Sequence, residues 1–453
     1  MKRAVLVIDI GSTKVCAIIA QIEDDKIDIA GYGLSWSHGI RRGIITNIDM
    51  ASRSIKKAVD DAKRVSGLNV TTATISISGA YTKSSNSNGI VNIPSNDISI
   101  AEINRVMQTA LYNANIPNEF EVLHALPFKF KIDEQDFIED PFGMNASRME
   151  VDVHIVMTQK SNLGNLKKAV HGAGIEIGRA VLSGYASALA VMSPNDKDRG
   201  VAVVDMGGQT SNLVIHNGNS IQFNDFLGIG SYHITNDLSL VLKTPFKAAE
   251  ITKVRKGDLL SNENETIELP TIGQEDKITG VALDDIRHII FARAEETISL
   301  LKQSLENSAL MGQINAGVII TGGMVNLVGI RELAQSLMPN IPVRVGKTED
   351  IGGFSDGLSS PEFSTAIGLL RYEAGYHTQY EFDINKKMLH SKEYKPKESL
   401  RNVELPQQPV VKQGTLNSSE LENNDLFLNL PEHNSSGKKG LFQNFTEWAS
   451  KIF

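Results

Sequence analysis

A chain of 453 residues is too long for one hydrophobic core and calls for two to four subdomains. Hydrophobic residues at 41% and charged ones at 22% match an ordinary globular protein, and the single cysteine, Cys16, permits no intrachain disulfide. A net charge of −8 without any basic run argues against nucleic acid as a main ligand, and no stretch reaches the roughly 18 apolar residues of a membrane-spanning helix.

The chain opens on Val5-Leu-Val-Ile-Asp9-Ile-Gly11-Ser12-Thr13-Lys14. A short β-branched run followed by Gly and hydroxyl residues predicts a buried strand ending in a loop whose backbone N–H groups can approach an anion. Only Ala4 to Ile8 are apolar before Asp9 interrupts them, so no secretory signal is expected and the body reads as cytoplasmic. Cys16 falls on the next expected strand, buried and inert. A helix over 48–65 follows, its apolar Ile55, Ala58, Val59 and Ala62 at 3- and 4-residue spacing, and then a strand over 71–78. Residues 84–167 form an inserted block: Ser/Asn-rich sequence, a helix over 100–115, strands over 121–131 and 148–157, and a helix over 161–173.

A second α/β layer, over 199–359, repeats the opening motif as Val201-Ala-Val-Val-Asp205-Met-Gly207-Gly208-Gln209-Thr210. Asp before Gly at a strand end is usually a simple turn. Two such turns in one chain place two carboxylates across a cleft, where they can hold the water shell of a Mg²⁺ that carries nucleotide phosphates. Within this layer, 242–302 contain a polar Asn262-Glu-Asn-Glu stretch and an amphipathic helix over 284–305. A third strand-to-glycine junction, Gly317-Val-Ile-Ile-Thr321-Gly322-Gly323-Met324, offers a turn bare enough to lie against an adenine and ribose. There is no Gly-x-x-x-x-Gly-Lys-Ser/Thr and no Gly-x-Gly-x-x-Gly, which removes the main support for P-loop and dinucleotide folds.

From 385 to 437 the chain is rich in Ser, Asn, Gln, Lys, Glu and Pro without periodicity, and is expected to be a disordered linker. As a flexible coil it would span roughly 40 Å. Its one apolar island, Leu426-Phe-Leu-Asn-Leu430, reads as a weak hydrophobic clump or a transient docking motif. In the final segment Leu441, Phe442, Phe445, Trp448, Ala449, Ile452 and Phe453 share one helical face, flanked by Lys438, Lys439 and Lys451. Two surfaces compete for that face, the protein's own body and a bilayer. The long polar linker and the bulky aromatics beside lysines favour an interfacial helix on anionic lipid.

These motifs resemble the actin, Hsp70 and sugar-kinase superfamily and, within it, the bacterial FtsA family of cell-division proteins. The likeness runs from about 4 to 375 and resumes at the C-terminal end. It includes Gly39-Ile-Arg-Arg-Gly-Ile-Ile-Thr-Asn47, Ile75-Ser-Ile-Ser-Gly79, Asn86-Ser-Asn-Gly-Ile-Val91, Val122-Leu-His-Ala-Leu-Pro127, Met149-Glu-Val-Asp-Val-His154, Gly228-Ile-Gly-Ser-Tyr-His-Ile-Thr-Asn-Asp237 and Ala249-Glu-Ile-Thr-Lys-Val-Arg255. It implies an actin-like duplicated ATPase fold with an inserted α+β subdomain, a disordered linker and a C-terminal amphipathic helix. The implied parts are a first lobe of 1–83, 168–198 and 360–380, an insert of 84–167, a second lobe of 199–241 and 303–359, a small subdomain of 242–302, a linker of 381–437 and a membrane helix of 438–453.

The resemblance further implies ATP with Mg²⁺ as cofactors. Gly11, Ser12, Thr13 and Lys14 form the first phosphate loop, Gly207, Gly208 and Thr210 the second, and Asp9 and Asp205 orient the metal through water. Glu250 and Lys253 stand where a ribose-contacting pair would, or are simply a helix ion pair; Gly322, Gly323 and Met324 border the adenosine. The implied partners are FtsZ filaments, tethered through 242–302, other division proteins, further copies in a filament, and an anionic membrane at the cytoplasmic face of the division site. One departure stands out: Gln209 and Asn212 replace a commonly found Gly and Asp, which removes a carboxylate near the γ-phosphate and points to slow hydrolysis. His154, His171 and His233 lack metal-ligand spacing. A pilus-assembly protein of the PilM type, and more remotely a small-molecule kinase, are the rival readings.

Overall fold

The computed structural model describes residues 2–389 apart from 25, 263–264, 349–350 and 354–356. The expected linker from 390 onward, its apolar island and the terminal helix with all its candidate lipid-facing residues lie outside the described residues.

Two sheets share one plan. In the first, Arg3–Ile10, Lys14–Glu23 and Lys26–Trp36 run antiparallel in succession, and Thr72–Ile77 and then Glu176–Leu182 add in parallel on the far side of the first strand. In the second, Val201–Met206, Ser211–Asn217 and Ser220–Leu227 make the same antiparallel run, extended in parallel by Val318–Thr321 and Val343–Val345. Strands covered on both faces are largely apolar, as Val201–Met206 is with Asp205 its one polar residue, buried at every position. The shared order is the internal duplication expected from the repeated motif. Register makes the equivalence exact in position, with Asp9 opposite Cys16 and Asp205 opposite Asn212.

The helix Ile48–Ser66 covers the first sheet. The Asn47 side chain caps it by accepting from the Met50 N–H, Gly67 ends it at φ 68°, and Ala51, Ile55, Ala58, Val59 and Ala62 face the sheet.

The inserted unit is a four-stranded antiparallel sheet in the order Thr82–Asn92, Arg148–Gln159, Phe120–Ile132, Gln135–Ile138, with the helix Ile100–Asn113 across it. Ile103, Val106, Met107 and Ala110 from that helix meet Phe130, Met149, Val151 and Val153 in a core of their own. Three boundaries differ from expectation. The Ser/Asn-rich stretch is a strand, Thr82–Asn92, whose small polar side chains tie the helix down: Ser87 Oγ donates to the Ala110 carbonyl at 2.8 Å and Asn113 Nδ2 to the Asn88 carbonyl at 2.9 Å. The helix Lys160–Gly172, expected to complete the insert, instead buries Leu163, Leu166, Ala169 and Val170 in the core of the first sheet.

The third difference lies past residue 380, where the linker was expected to begin. Residues 381–389 stay packed, with Phe382 exchanging both backbone hydrogen bonds with Ala125 at 3.0 Å and Phe382 and Leu389 buried. Glu381 is fully buried and accepts from the Tyr185 hydroxyl at 2.8 Å and the Tyr372 hydroxyl at 2.5 Å. The segment thus fastens the insert to the first sheet's helices. A separate small unit on the second sheet comprises the helices Ser231–Val241 and Phe246–Lys256, the hairpin of Thr266–Thr271 with Gln274–Ala282, and the long helix Leu283–Asn307.

Candidate functional site

The two hairpin turns that follow Asp9 and Asp205 are built alike. Gly11 N–H donates to the Lys14 carbonyl at 3.1 Å, and Gly207 N–H to the Thr210 carbonyl at 2.8 Å. They also meet: a Cβ placed on Gly208 would lie 2.2 Å from Thr13 Cγ2. Only a residue without a side chain lets the second turn approach the first this closely. The sequence-predicted phosphate-loop residues Gly11, Ser12, Thr13, Lys14, Gly207, Gly208 and Thr210 are therefore brought to one place.

Each turn is anchored from outside. Ser12 Oγ accepts from Gly43 N–H at 2.8 Å, and Gln209 Oε1 accepts from Arg42 N–H at 2.9 Å, so the short hairpin of Ile40–Arg41 with Ile44–Ile45 touches both turns. Gln209 spends its side-chain carbonyl on this brace. On the other side Ser231 and Tyr232 N–H donate to the Gly207 and Gly208 carbonyls at 3.0 and 2.7 Å, setting the start of the helix Ser231–Val241 against the second turn.

Both carboxylates sit beneath the turns among hydroxyls. Ser76 Oγ donates to Asp9 Oδ1 at 3.0 Å; Ser187 Oγ and Thr365 Oγ1 donate to Asp205 Oδ2 at 2.6 and 3.1 Å. Burial pushes Asp9 up to about 6, against the pull of the Ser76 hydrogen bond and with a further push from Asp205. Burial also raises Asp205, although Ser187, Thr365 and Lys14 oppose it. Burial disfavours charge on both carboxylates, and a neighbouring cation would favour their ionised forms. Among the described residues no group of three or more His, Cys, Asp or Glu could cage an ion. The donor set fits a hydrated Mg²⁺ shared with phosphate oxygens rather than an all-protein site.

Lys14 Nζ lies 2.7 Å from Glu362 Oε2 and 3.6 Å from the centroid of the Phe363 ring. Gly322, at φ 90°, is pressed against Asp205, whose Oδ1 would be 2.3 Å from an added Cβ, and its N–H donates to the Pro361 carbonyl at 3.1 Å. Gly323 is exposed, while Gly322 and Met324 are buried, so Gly323 alone of the three lies at the surface. Glu250 and Lys253 pair at 2.8 Å, and Lys253 Nζ also donates to the Ser231 carbonyl at 3.2 Å and to Thr235 Oγ1 at 2.9 Å. The pair is thereby linked to the second turn through Ser231.

Residues the sequence reading passed over are Ser76, Ser187, Thr365, Arg42 and the segment from Pro361 to Thr365. That segment touches the glycine turn through the Pro361 carbonyl, the first loop through Glu362, and Asp205 through Thr365. A signal was present for Ser187, a hydroxyl within the largely aliphatic and buried Ser183–Val191, while Ser76 is one of two buried hydroxyl residues, with Thr74, in Thr72–Ile77. A hydroxyl in a buried run needs a partner. Of the histidines, His154 is buried between Asn86 and Asn224, His171 is half exposed, and His233 Nδ1 faces the Gly230 backbone; none joins the site.

Comparison with known proteins agrees with this architecture. Residues 79–157 match the family model "SHS2 domain inserted in FTSA" and residues 202–368 match "Cell division protein FtsA". The chain is 36% identical to the cell division protein FtsA of Helicobacter pylori (strain J99), with 100% of this chain and 99% of that one covered. It is 35% identical to that of Neisseria meningitidis serogroup B, covering 82% and 90%, and 26% identical to that of Escherichia coli K12, covering 85% and 94%. Among solved structures it shares its fold with a PilM–PilN type IV pilus biogenesis complex (TM-score 0.58, 16% identity, 82% of this chain and 98% of that one). It shares it also with MreB5 of Spiroplasma citri bound to ADP (0.51, 12%, 82% and 96%). The matched turns, the inserted unit between the halves and this end-to-end likeness lead to one conclusion: the chain belongs to the FtsA family of cell division proteins, built on an actin-like fold.

Proposed function

We propose that this chain binds Mg·ATP between its two matched turns, assembles into filaments on the cytoplasmic face of the membrane, and anchors FtsZ filaments there at the division site. The observation that carries the nucleotide reading is the meeting of the turns at Gly208 and Thr13 above two buried, hydroxyl-bonded carboxylates. Backbone N–H groups of Ser12 and Thr13 and of Gly208–Thr210, with Lys14, would bind phosphate oxygens, Gly11 and Gly207 closing the turns that present them; Asp9 and Asp205 would hold the metal's water shell. Mg²⁺, when bound, would supply the charge that balances the phosphates. Gly322 and Gly323 would lie along the adenosine, with Glu250 and Lys253 at the ribose side. With Asn212, an amide rather than a carboxylate, opposite Asp205, turnover is slow and nucleotide acts as a switch on lobe closure.

FtsA relatives support the division role, and MreB5 of Spiroplasma citri, which shares the fold, is a protein whose structure is bound to ADP. The subdomain of 242–302 is the proposed FtsZ contact. The terminal helix, with Leu441, Phe442, Phe445, Trp448, Ile452 and Phe453 toward lipid and Lys438 and Lys439 toward headgroups, is the proposed anchor. A single such helix binds reversibly, so firm attachment comes from several tails in one polymer.

The test is recruitment of fluorescent FtsZ to anionic vesicles with ATP, comparing the full chain with one ending at Gly437. Recruitment by the full chain alone is expected. No recruitment by either would leave the fold but move the role toward pilus-type assembly.

A further inference from the structure

The Lys14–Glu362 ion pair joins the first phosphate turn to the segment Pro361–Phe363. Lys14 is the one lysine of the first phosphate turn, and its ammonium is neutralised at 2.7 Å by a carboxylate and covered at 3.6 Å by an aromatic face. Glu362 comes from the short turn Pro361–Phe363, held in place from both sides by the Gly322 N–H to Pro361 hydrogen bond and by Thr365 on Asp205. Its Cβ would be 3.6 Å from a Cβ on Gly323, so the same carboxylate stands at the junction of the phosphate turn and the glycine turn. Both partners keep part of their surface in water, 22% for Lys14 and 39% for Glu362, so the pair can separate without stranding a buried charge.

We propose that Glu362 is an internal competitor for the nucleotide: it pairs with Lys14, and a phosphate must take Lys14 from it. This rests on the nucleotide reading above. A cation already paired contributes to phosphate binding only the difference between its two partners, so the pair lowers affinity. A triphosphate has to break the pair to use Lys14 fully. A diphosphate, with less charge to offer, can bind and leave it intact. Glu362 thereby sets how strongly occupancy of the cleft depends on the nucleotide's phosphate charge.

The experiment is calorimetric titration of the full chain with Mg·ATP and Mg·ADP for wild type, Glu362→Gln, Glu362→Asp, Lys14→Met and the Lys14→Met/Glu362→Gln double variant, each checked for an unchanged thermal midpoint. Glu362→Gln is expected to bind ATP about three- to fivefold tighter, the range a partly exposed ion pair allows, with a smaller gain for ADP. Glu362→Asp falls between it and wild type, and provides the same comparison should the glutamine variant fold poorly. In the Lys14→Met background the gain disappears. Unchanged or weaker binding by both Glu362 variants, or a gain that persists without Lys14, overturns the proposal. Nucleotide binding by wild type with neutral Glu362 variants defeats this inference alone, whereas absence of binding by wild type defeats the nucleotide reading and this inference with it.

Discussion

At the scale of single residues, the histidines show how burial sets chemistry. His154 lies between the Asn86 and Asn224 amides at 2.7 and 2.9 Å, and burial pushes it down to about 4; burial likewise pushes His216 down to about 3. A neutral ring donates from one nitrogen only, so one of the two amides turns its NH₂ toward the other. The folded state binds these protons more weakly than the unfolded chain, whose histidines titrate near 6.5. Stability is therefore full above about 6.5 and is lost as pH falls from there toward 4. For His154 the interval from about 6.5 to about 4 corresponds to about 3 kcal/mol. Because the raised Asp9 and Asp205 oppose the histidines over the same interval, the test is a comparison: between pH 7 and 5 the urea midpoint of wild type should fall further, or rise less, than that of His154→Gln. A slope unchanged by the substitution would mean that His154 is not held neutral.

Gly322 is the second case at this scale. At φ 90° and pressed on Asp205, it tolerates no side chain, and Gly322→Ala should cost about 1–3 kcal/mol while weakening Mg·ATP binding through a displaced carboxylate. The need for glycine here was legible from the double glycine after an apolar run. Its pressure on Asp205 was not, because the two residues are far apart in sequence and only the parallel pairing of Val201–Met206 with Val318–Thr321 unites them.

Among elements, those with a single strong period were the most legible. The helix Ile48–Ser66 carries its apolar positions at helical spacing, a cap at Asn47 and a left-handed stop at Gly67, and it ends one residue from its expected limit. The strand Thr72–Ile77 and the long helix Leu283–Asn307 were legible for the same reason. The strand Thr82–Asn92 was not, since one face meets a helix through serine and asparagine and the other meets solvent, leaving no apolar alternation. Ownership of Lys160–Gly172 was equally hidden: periodicity shows that a helix has an apolar face, not which core receives it.

The packed segment after Tyr380 belongs to this scale too. Its polar composition masked Phe382, Leu389 and the fully buried Glu381. Chains ending at Leu389 and at Tyr380 separate the two views. The longer should unfold at the temperature of the full chain. The shorter loses a buried phenylalanine, worth about 1.5–3 kcal/mol on its own, together with the Glu381 hydrogen bonds, and should melt several degrees lower. Equal midpoints would contradict a structural role for 381–389.

For the whole molecule, the duplication was legible because both halves repeat an apolar strand, an aspartate and a glycine turn, and the two sheets indeed share strand order and register. How closely the halves meet was not, because it depends on Gly208 against Thr13 and on the braces from Arg42 and Ser231, contacts between segments that no local pattern relates. The account's central claim is that this meeting point holds a metal-bound nucleotide. Calorimetric titration of the full chain with ATP, in Mg²⁺ and in EDTA, addresses it most directly. One equivalent bound in Mg²⁺, with at least tenfold weaker binding in EDTA and a matching loss in Asp205→Asn, is the predicted result. No binding, or binding indifferent to both Mg²⁺ and Asp205, would contradict it.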